Sequence, residues 1–234
     1  MDWKKFLYDE NEKPLDRIVL DGGYARVFRT LGCIGDSLSS GEHESRDAEG
    51  NTGFHDYYEY SWGQYIARNA GIKVYNFSRG GMTAKWYMES FSDSIGAWAT
   101  DKLCQGYILA LGVNELWSKS QELGSVEDID LNDYKNNKDT FAGSYAQIIQ
   151  RLKSLQPDAN FFLVTLPNGD KLDYESHAKI LRDMAKMFSN TYVLDFAKYG
   201  PVYDDEFKSK FYLGGHLNAA GYIFTAQLIT SYID

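Results

Sequence analysis

The sequence has few cysteines, little positive charge and no long apolar run. Cys33 and Cys104 are the two cysteines among 234 residues. Each lies in or beside an apolar segment, which favours small buried residues over a disulfide pair. The 24 Lys and Arg are outnumbered by 33 Asp and Glu, for a net charge of -9. Such a surface repels nucleic acid and anionic lipid headgroups, so a small neutral molecule is the expected partner.

No run reaches the ~18 apolar residues of a membrane span, so no membrane partner is expected. The N-terminal residues turn acidic without the apolar stretch of a signal peptide, and a cytoplasmic location is therefore expected. The length and the 44% hydrophobic content suffice for one sizeable core. We expect a single domain over residues 1–234, with the polar, turn-rich residues 1–26 as an arm packed on it.

Apolar runs alternate with segments of helical spacing along the whole chain. The predicted strands lie near residues 27–34, 72–77, 106–111, 161–166 and 192–196. This alternation predicts an α/β protein with a parallel sheet and helices on both faces. Three polar stretches are predicted to be surface loops or connections, at residues 39–56, 116–140 and 197–210.

Ser37 stands just beyond the first predicted strand. Gly35 ends the apolar run, and Asp36 and Ser37 follow it. In open α/β sheets ligands bind outside the carboxyl ends of the strands, so Ser37 is a candidate nucleophile. The alternative is that Asp36 or Ser37 only caps the next helix, as Asp and Ser often do.

Three further pieces follow predicted strands or precede the last helix. Gly80 and Gly81 come after the second strand, Asn114 comes after the third, and His216 lies in a glycine-rich turn. Ester hydrolysis needs a nucleophile, a base and donors for the tetrahedral oxyanion. Ser37 and His216 can supply the first two, and the Ser37 N–H, the Gly81 N–H and the Asn114 side chain can supply the third. Taken singly, the glycines and Asn114 are also ordinary turn residues.

In these blocks the chain resembles the SGNH, or GDSL-type, hydrolases. The resembling segments are residues 35–38, 76–81, 112–114 and 216–218. The resemblance implies a three-layer α/β/α, flavodoxin-like fold with a parallel five-stranded sheet of order 2-1-3-4-5. It implies Ser37 as nucleophile, His216 as base, and an oxyanion hole of Ser37, Gly81 and Asn114. It implies no metal and no organic cofactor.

One position departs from the family pattern. Leu213 stands where the family usually has an aspartate, three residues before His216. Such a carboxylate normally fixes the tautomer of the imidazole. Three alternatives remain: a backbone carbonyl orients His216, the site is degenerate, or a carboxylate comes from the preceding loop, where the candidates are Asp204, Asp205 and Glu206. We favour a Ser–His dyad supported by a carbonyl.

The expected reaction is hydrolysis of a small neutral ester through an acyl-serine intermediate, with an O-acetylated carbohydrate as the first substrate class. A lipid ester or thioester hydrolase is the enzymatic alternative. A non-catalytic sugar-binding or scaffold domain is the second alternative, because of Leu213. Of the other histidines, His177 shares an apolar helix face and is expected to be structural, whereas His43 could line the site.

Overall fold

In the computed structural model, which describes residues 11–118, 121–169 and 172–234, five strands form one parallel sheet. They are β1 Thr30–Gly35, β4 Lys73–Asn76, β5 Gly106–Ala110, β6 Asn160–Val164 and β7 Thr191–Leu194. Their spatial order is β4-β1-β5-β6-β7, which is the predicted 2-1-3-4-5 order of a flavodoxin-like sheet. The inner strands are buried almost throughout, as expected for a sheet covered on both faces.

Helices cover the two faces of this sheet and separate its strands. They are α1 Ser37–Ser40, α2 Trp62–Ala70, α3 Ala84–Trp86, α4 Ser92–Ser94, α5 Val113–Ser118, α6 Phe141–Leu155, α7 Tyr174–Met187, α8 Phe196–Tyr199, α9 Asp205–Phe211 and α10 Ala219–Ile233. A π-helical turn, Tyr87–Phe91, joins α3 to α4. Short 3₁₀ turns lie at Gly23–Val27, Tyr58–Tyr60, Thr100–Lys102, Val126–Asp128 and Tyr134–Asn136.

Two hydrophobic clusters, one on each face of the sheet, confirm the three-layer α/β/α prediction. One cluster includes Tyr145 of α6 and Leu181 of α7. The other includes Ile66 of α2 and Tyr222 of α10. Full burial of a large apolar side chain contributes about 1.5–3 kcal/mol. These helices are therefore held to the sheet mainly by their apolar faces.

Two predicted loops contain regular structure instead. Residues 39–56 complete α1 and form a hairpin of β2 Glu42–Arg46 and β3 Thr52–Asp56. Residues 197–210 include most of α8 and α9. The hairpin was missed because its strands are polar and lie outside the main sheet. They are joined by backbone pairing and by a turn in which Gly50 has a φ of +86°.

The arm contacts the end of the last helix. The Val19 N–H donates to Ser231 Oγ at 2.7 Å, and the Tyr24 N–H donates to Asp234 Oδ1 at 3.1 Å. The described part of the arm, residues 11–26, contains no strand. Among the residues the structure describes, no helix combines the length and apolarity needed to cross a membrane.

Candidate active site

Ser37 occupies the first turn beyond the inner strand β1. Asp36 caps α1, since its Oδ1 accepts the Leu38 N–H at 3.0 Å, and Ser37 is the first residue of that helix. The N–H groups of a first helical turn lack the i–4 acceptor of later residues. Here the Leu38, Ser39 and Ser40 N–H groups donate to Asp36, which leaves the Ser37 N–H for a ligand. Asp36 therefore caps the helix, while Ser37 is 8% exposed and still lines the cleft. The Ser37 residue lies at one wall of an open cleft of about 400 Å³.

The cleft brings together the residues predicted from four separate segments. Ser37, Gly81, Asn114 and His216 all line it. Gly81 has a φ of +72°, a left-handed conformation that favours glycine. Asn114 Nδ2 donates to the Met82 carbonyl at 3.0 Å, which fixes the side chain. Because an amide carries two N–H donors, the second can serve a ligand.

Glu44 of β2 supplies the carboxylate that contacts His216. His216 Nδ1 lies 2.8 Å from Glu44 Oε1, and the same oxygen accepts the Gly215 N–H at 2.6 Å. The Glu44 side chain is 8% exposed. Burial raises the pKa of Glu44, but the hydrogen bonds from His216 and Gly215, with the charges of His216 and Arg46, outweigh it and hold the pKa below its usual range. The carboxylate therefore stays ionised beside the imidazole.

The carboxylates suggested from the sequence are engaged elsewhere. Asp204 caps α9 by accepting the Phe207 N–H at 2.9 Å. Glu206 accepts from Lys210 Nζ at 2.7 Å, and Asp205 is exposed in the first turn of the same helix. Acidic residues favour a helix N-terminus, which explains their clustering there. The favoured backbone carbonyl is not the partner of His216 Nδ1 either, because that position is taken by Glu44.

The second ring nitrogen of His216 also meets a carboxylate. Nε2 lies 3.0 Å from Glu42 Oε1, at the start of β2. Asp56, opposite Glu42 in the hairpin, accepts from Ser40 Oγ at 2.6 Å. Burial raises the pKa of Glu42, the charge of His216 opposes this, and the charges of Asp56 and Glu44 add to it. The hairpin thus places several acceptor groups around the histidine.

Phe54 of β3 adds an apolar surface to this side of the cleft. Its ring lies 5.6 Å from the His216 ring, close to perpendicular, and the residue is 58% exposed. An exposed aromatic ring beside carboxylate acceptors is suited to a ligand with both apolar and hydroxyl-bearing faces.

Two buried carboxyl groups adjoin cleft residues in the sequence, Asp36 before Ser37 and Glu115 after Asn114. Burial raises the pKa of Asp36 to about 7, although the hydrogen bond from the Leu38 N–H lowers it. The charges of Glu115 and Glu42 add to the rise. Glu115 Oε1 accepts the Ala84 N–H at 2.6 Å, and burial raises the pKa of its carboxyl group too. Asp36 therefore caps α1, and Glu115 joins α5 to the first residue of α3.

The remaining predicted histidines lie outside the cleft. His177 is fully buried and its Nε2 lies 2.9 Å from the Leu111 carbonyl. Burial lowers the pKa of His177 to about 4 despite this hydrogen bond, which is the behaviour of a structural histidine. His43 Nδ1 lies 2.9 Å from the Gly41 carbonyl, and its ring packs 5.0 Å from that of Tyr222. It is not among the residues that line the cleft.

Sequence reasoning missed Glu42, Glu44 and Phe54. A usable signal was present: Glu42 and Glu44 stand two residues apart, just before a glycine-containing turn at Gly50. Such spacing places both side chains on one face of a strand. The polarity of the segment led to a loop prediction and concealed this alternation.

A flavodoxin-like sheet with a serine, a histidine and oxyanion donors grouped at its carboxyl edge is the arrangement of an SGNH-type ester hydrolase. A model of the GDSL-like lipase/acylhydrolase family matches residues 33–223, which is most of the chain. The chain belongs to this family, and it is an ester hydrolase of the SGNH type. No curated protein matches the chain significantly in sequence.

Several solved structures share the fold. An active-site mutant of a family two carbohydrate esterase from Clostridium thermocellum has a TM-score of 0.63 at 17% identity, and the match covers 95% of this chain and 64% of that chain. A catalytic mutant of an acetylxylan esterase from Geobacillus stearothermophilus has a TM-score of 0.53 at 16% identity. The match covers 88% of this chain and 94% of that chain. A putative lipolytic protein of the G-D-S-L family from Desulfitobacterium hafniense has a TM-score of 0.52 at 17% identity. The match covers 87% of this chain and 99% of that chain.

Proposed function

We propose that the protein is a serine esterase that removes small acyl groups, acetyl foremost, from carbohydrate hydroxyls through an acyl-Ser37 intermediate. The observation that carries this proposal is the single cleft lined by Ser37, Gly81, Asn114 and His216. Glu44 completes the set by holding the imidazole at Nδ1.

Acylation begins when Ser37 Oγ attacks the ester carbonyl carbon and its proton passes to His216 Nε2. The negative charge on the former carbonyl oxygen is met by the Ser37 and Gly81 N–H groups and by the Asn114 amide. The intermediate collapses, and the alcohol leaves with the proton held by His216. Water then attacks the acyl-serine with the same base, and the carboxylic acid departs.

Glu44 acts through His216 rather than on substrate. A carboxylate that accepts the Nδ1–H leaves Nε2 as the nitrogen that accepts the serine proton. It also stabilises the imidazolium that forms in the transition state. Glu44 therefore takes the part that the family usually gives to an aspartate at the position of Leu213, and a degenerate site is not required to explain Leu213.

A carbohydrate alcohol suits the walls of the cleft. Phe54 offers an exposed ring beside His216, and the carboxylates of Glu42 and Asp56 offer hydrogen-bond acceptors for hydroxyl groups. The structural neighbours include carbohydrate esterases, which supports the same class.

A long acyl chain finds little apolar surface in the cleft, because apart from Phe54 and the two glycines its lining residues are polar or charged. A separate apolar cavity, lined among others by Leu38, Val113 and Leu217, measures about 90 Å³ and shares no lining residue with the cleft. An engineered apolar cavity of ~150 Å³ holds one benzene molecule. The polar lining of the cleft, together with the small size and separate lining of this cavity, favours acetyl over the acyl chain of a lipid ester or thioester.

A fluorophosphonate probe with mass mapping tests the nucleophile. Label is expected on Ser37 in the wild type and is expected to be lost in Ser37→Ala. Ser209→Ala, in the exposed part of α9, is the matched serine control and should label like the wild type. Folded wild-type protein without label, together with no hydrolysis of activated esters, would favour the non-catalytic sugar-binding alternative.

A panel of acetyl, butyryl and octanoyl esters, followed by acetylated oligosaccharides, tests the substrate class. Turnover that falls with chain length and persists on acetylated sugars supports the proposal. Turnover that climbs toward octanoyl esters would favour the lipid ester alternative.

A further inference from the structure

Glu42 occupies the ring nitrogen of His216 that the proposed mechanism needs. Glu44 engages Nδ1 at 2.8 Å, and Glu42 Oε1 lies 3.0 Å from Nε2. The other Glu42 oxygen is packed against Gly80, where an added Cβ would overlap it. The carboxylate thus lies between the base and the glycine turn that contains the oxyanion donor Gly81.

This arrangement leaves His216 without a lone pair for the serine proton. A neutral imidazole has one N–H donor and one acceptor nitrogen. An ionised carboxylate accepts hydrogen bonds and donates none, so a ring nitrogen bonded to one carries a proton. With Glu44 on Nδ1 and Glu42 on Nε2, both nitrogens donate and neither is free to accept the Ser37 proton. The Glu42 contact must therefore break before each acylation step.

Breaking that contact costs free energy unless Glu42 finds another donor. Its side chain is 14% exposed, and Asp56 and Glu44 lie close enough for their charges to raise the pKa of its carboxyl group. A partly buried carboxylate that loses its hydrogen-bond partner carries a desolvation penalty. Arg79 is the basic side chain among the residues that line the cleft. A hydroxyl group of the bound alcohol is a donor that arrives together with the ester.

Resting on the proposed esterase function, we propose that Glu42 is a specificity-determining residue that selects esters of polyhydroxylated alcohols. In the free enzyme Glu42 holds His216 Nε2. When an ester with a neighbouring hydroxyl binds, the hydroxyl donates to the Glu42 carboxylate in place of the Nε2–H. The Nε2 proton passes to solvent water in the open cleft, and Nε2 keeps the lone pair that accepts the Ser37 proton. An ester without such a hydroxyl binds next to a His216 whose Nε2 remains hydrogen-bonded to Glu42.

Two substrates, one with hydroxyl donors and one without, test this selection, and Glu42→Ala controls for their difference in size. The first is a mono-O-acetylated methyl glycoside, and the second is the same compound with its free hydroxyls O-methylated. A hydrogen bond to a charged group is worth about tenfold to a hundredfold in an equilibrium constant. Wild-type kcat/KM should therefore favour the first compound by at least about tenfold. Glu42→Ala should bring the ratio close to one, with faster turnover of the methylated compound.

The labelling rate of Ser37 gives a second readout, because a fluorophosphonate has no hydroxyl to displace Glu42. Glu42→Ala should label about tenfold faster than the wild type. Glu42→Gln keeps the size of the side chain and should fall between the two. Glu49→Gln, at the exposed tip of the same hairpin, removes one negative charge away from His216 and should behave as the wild type. Thermal unfolding midpoints confirm that each variant is folded.

The outcomes separate this inference from the proposed function. A wild type labelled at Ser37 whose substrate ratio is unchanged in Glu42→Ala retains the esterase and overturns the selection. Slower labelling in both Glu42 variants also overturns it, because Glu42 would then assist the base. Absence of Ser37 labelling in the wild type and in Glu42→Ala overturns both proposals. Labelling that appears only in Glu42→Ala supports both.

Discussion

Replacement of Glu44 by glutamine should disable catalysis while leaving the fold intact. The substitution keeps the size of a side chain that is 8% exposed and removes the charge 2.8 Å from His216 Nδ1. The charge matters in the transition state, where His216 is an imidazolium. With ~4 Å between the charge centres and an effective dielectric constant of ~20, the attraction is about 4 kcal/mol.

At 1.36 kcal/mol per tenfold change in rate, this interaction corresponds to a loss of about 10³ in kcat. Loss of the triad carboxylate in a serine protease costs ~10⁴, so the magnitude is in the expected range. KM should change little, because Glu44 lies behind the imidazole and does not touch the substrate. The pKa of Glu44 is held below its ordinary value, so its support should persist on the acidic side of neutrality.

The assay is kcat and KM on an activated acetyl ester, with circular dichroism and thermal unfolding to confirm folding. Three matched controls each remove one carboxylate near the end of the chain: Asp204→Asn, Asp205→Asn and Glu206→Gln. They should be mild, because these groups serve α9 and solvent-exposed pairs contribute little. Wild-type kcat in folded Glu44→Gln would refute the reasoning, and a collapse in one of the controls would identify a different partner for His216.

Three further outcomes are expected. Ser37→Ala should abolish ester hydrolysis with little loss of stability, and near wild-type turnover would contradict the nucleophile assignment. Asn114→Ala should lower kcat by ~10²–10³ with a smaller effect on KM, as for other oxyanion donors, whereas a change in KM alone would indicate ground-state binding. Stability should fall as pH drops from 6.5 toward about 4, because unfolded His177 takes up a proton that the buried side chain, with its pKa lowered to about 4, does not. At 1.36 kcal/mol per pH unit, His177 contributes about 3 kcal/mol to this loss of stability. Denaturant unfolding of His177→Gln and of the wild type across this pH range isolates the His177 contribution. The comparison is needed because Asp36, with a pKa raised to about 7, changes stability with pH in the opposite direction. Equal pH dependence in the two proteins would contradict the His177 assignment.

The sequence by itself determined the sheet and the positions of its carboxyl-edge residues. Apolar runs such as 106–111 can be buried on both faces only in a covered parallel sheet, and strand ends in such a sheet share one edge. Ser37, Asn114 and the Gly80–Gly81 turn follow directly from this local pattern. The prediction for His216 depended on its place beside a glycine turn and on the family resemblance.

Only the tertiary structure decided which carboxylate meets His216. Glu44 is 172 residues away along the chain, and no local pattern connects the two. Their contact exists because a polar hairpin folds back over the cleft and places Glu42 and Glu44 on the two nitrogens of one imidazole. A hairpin of this kind buries little apolar surface, so it leaves no strong hydrophobic period in the sequence. Glu42 and Glu44, which contact the His216 imidazole, therefore lie in the segment that was predicted to be a loop.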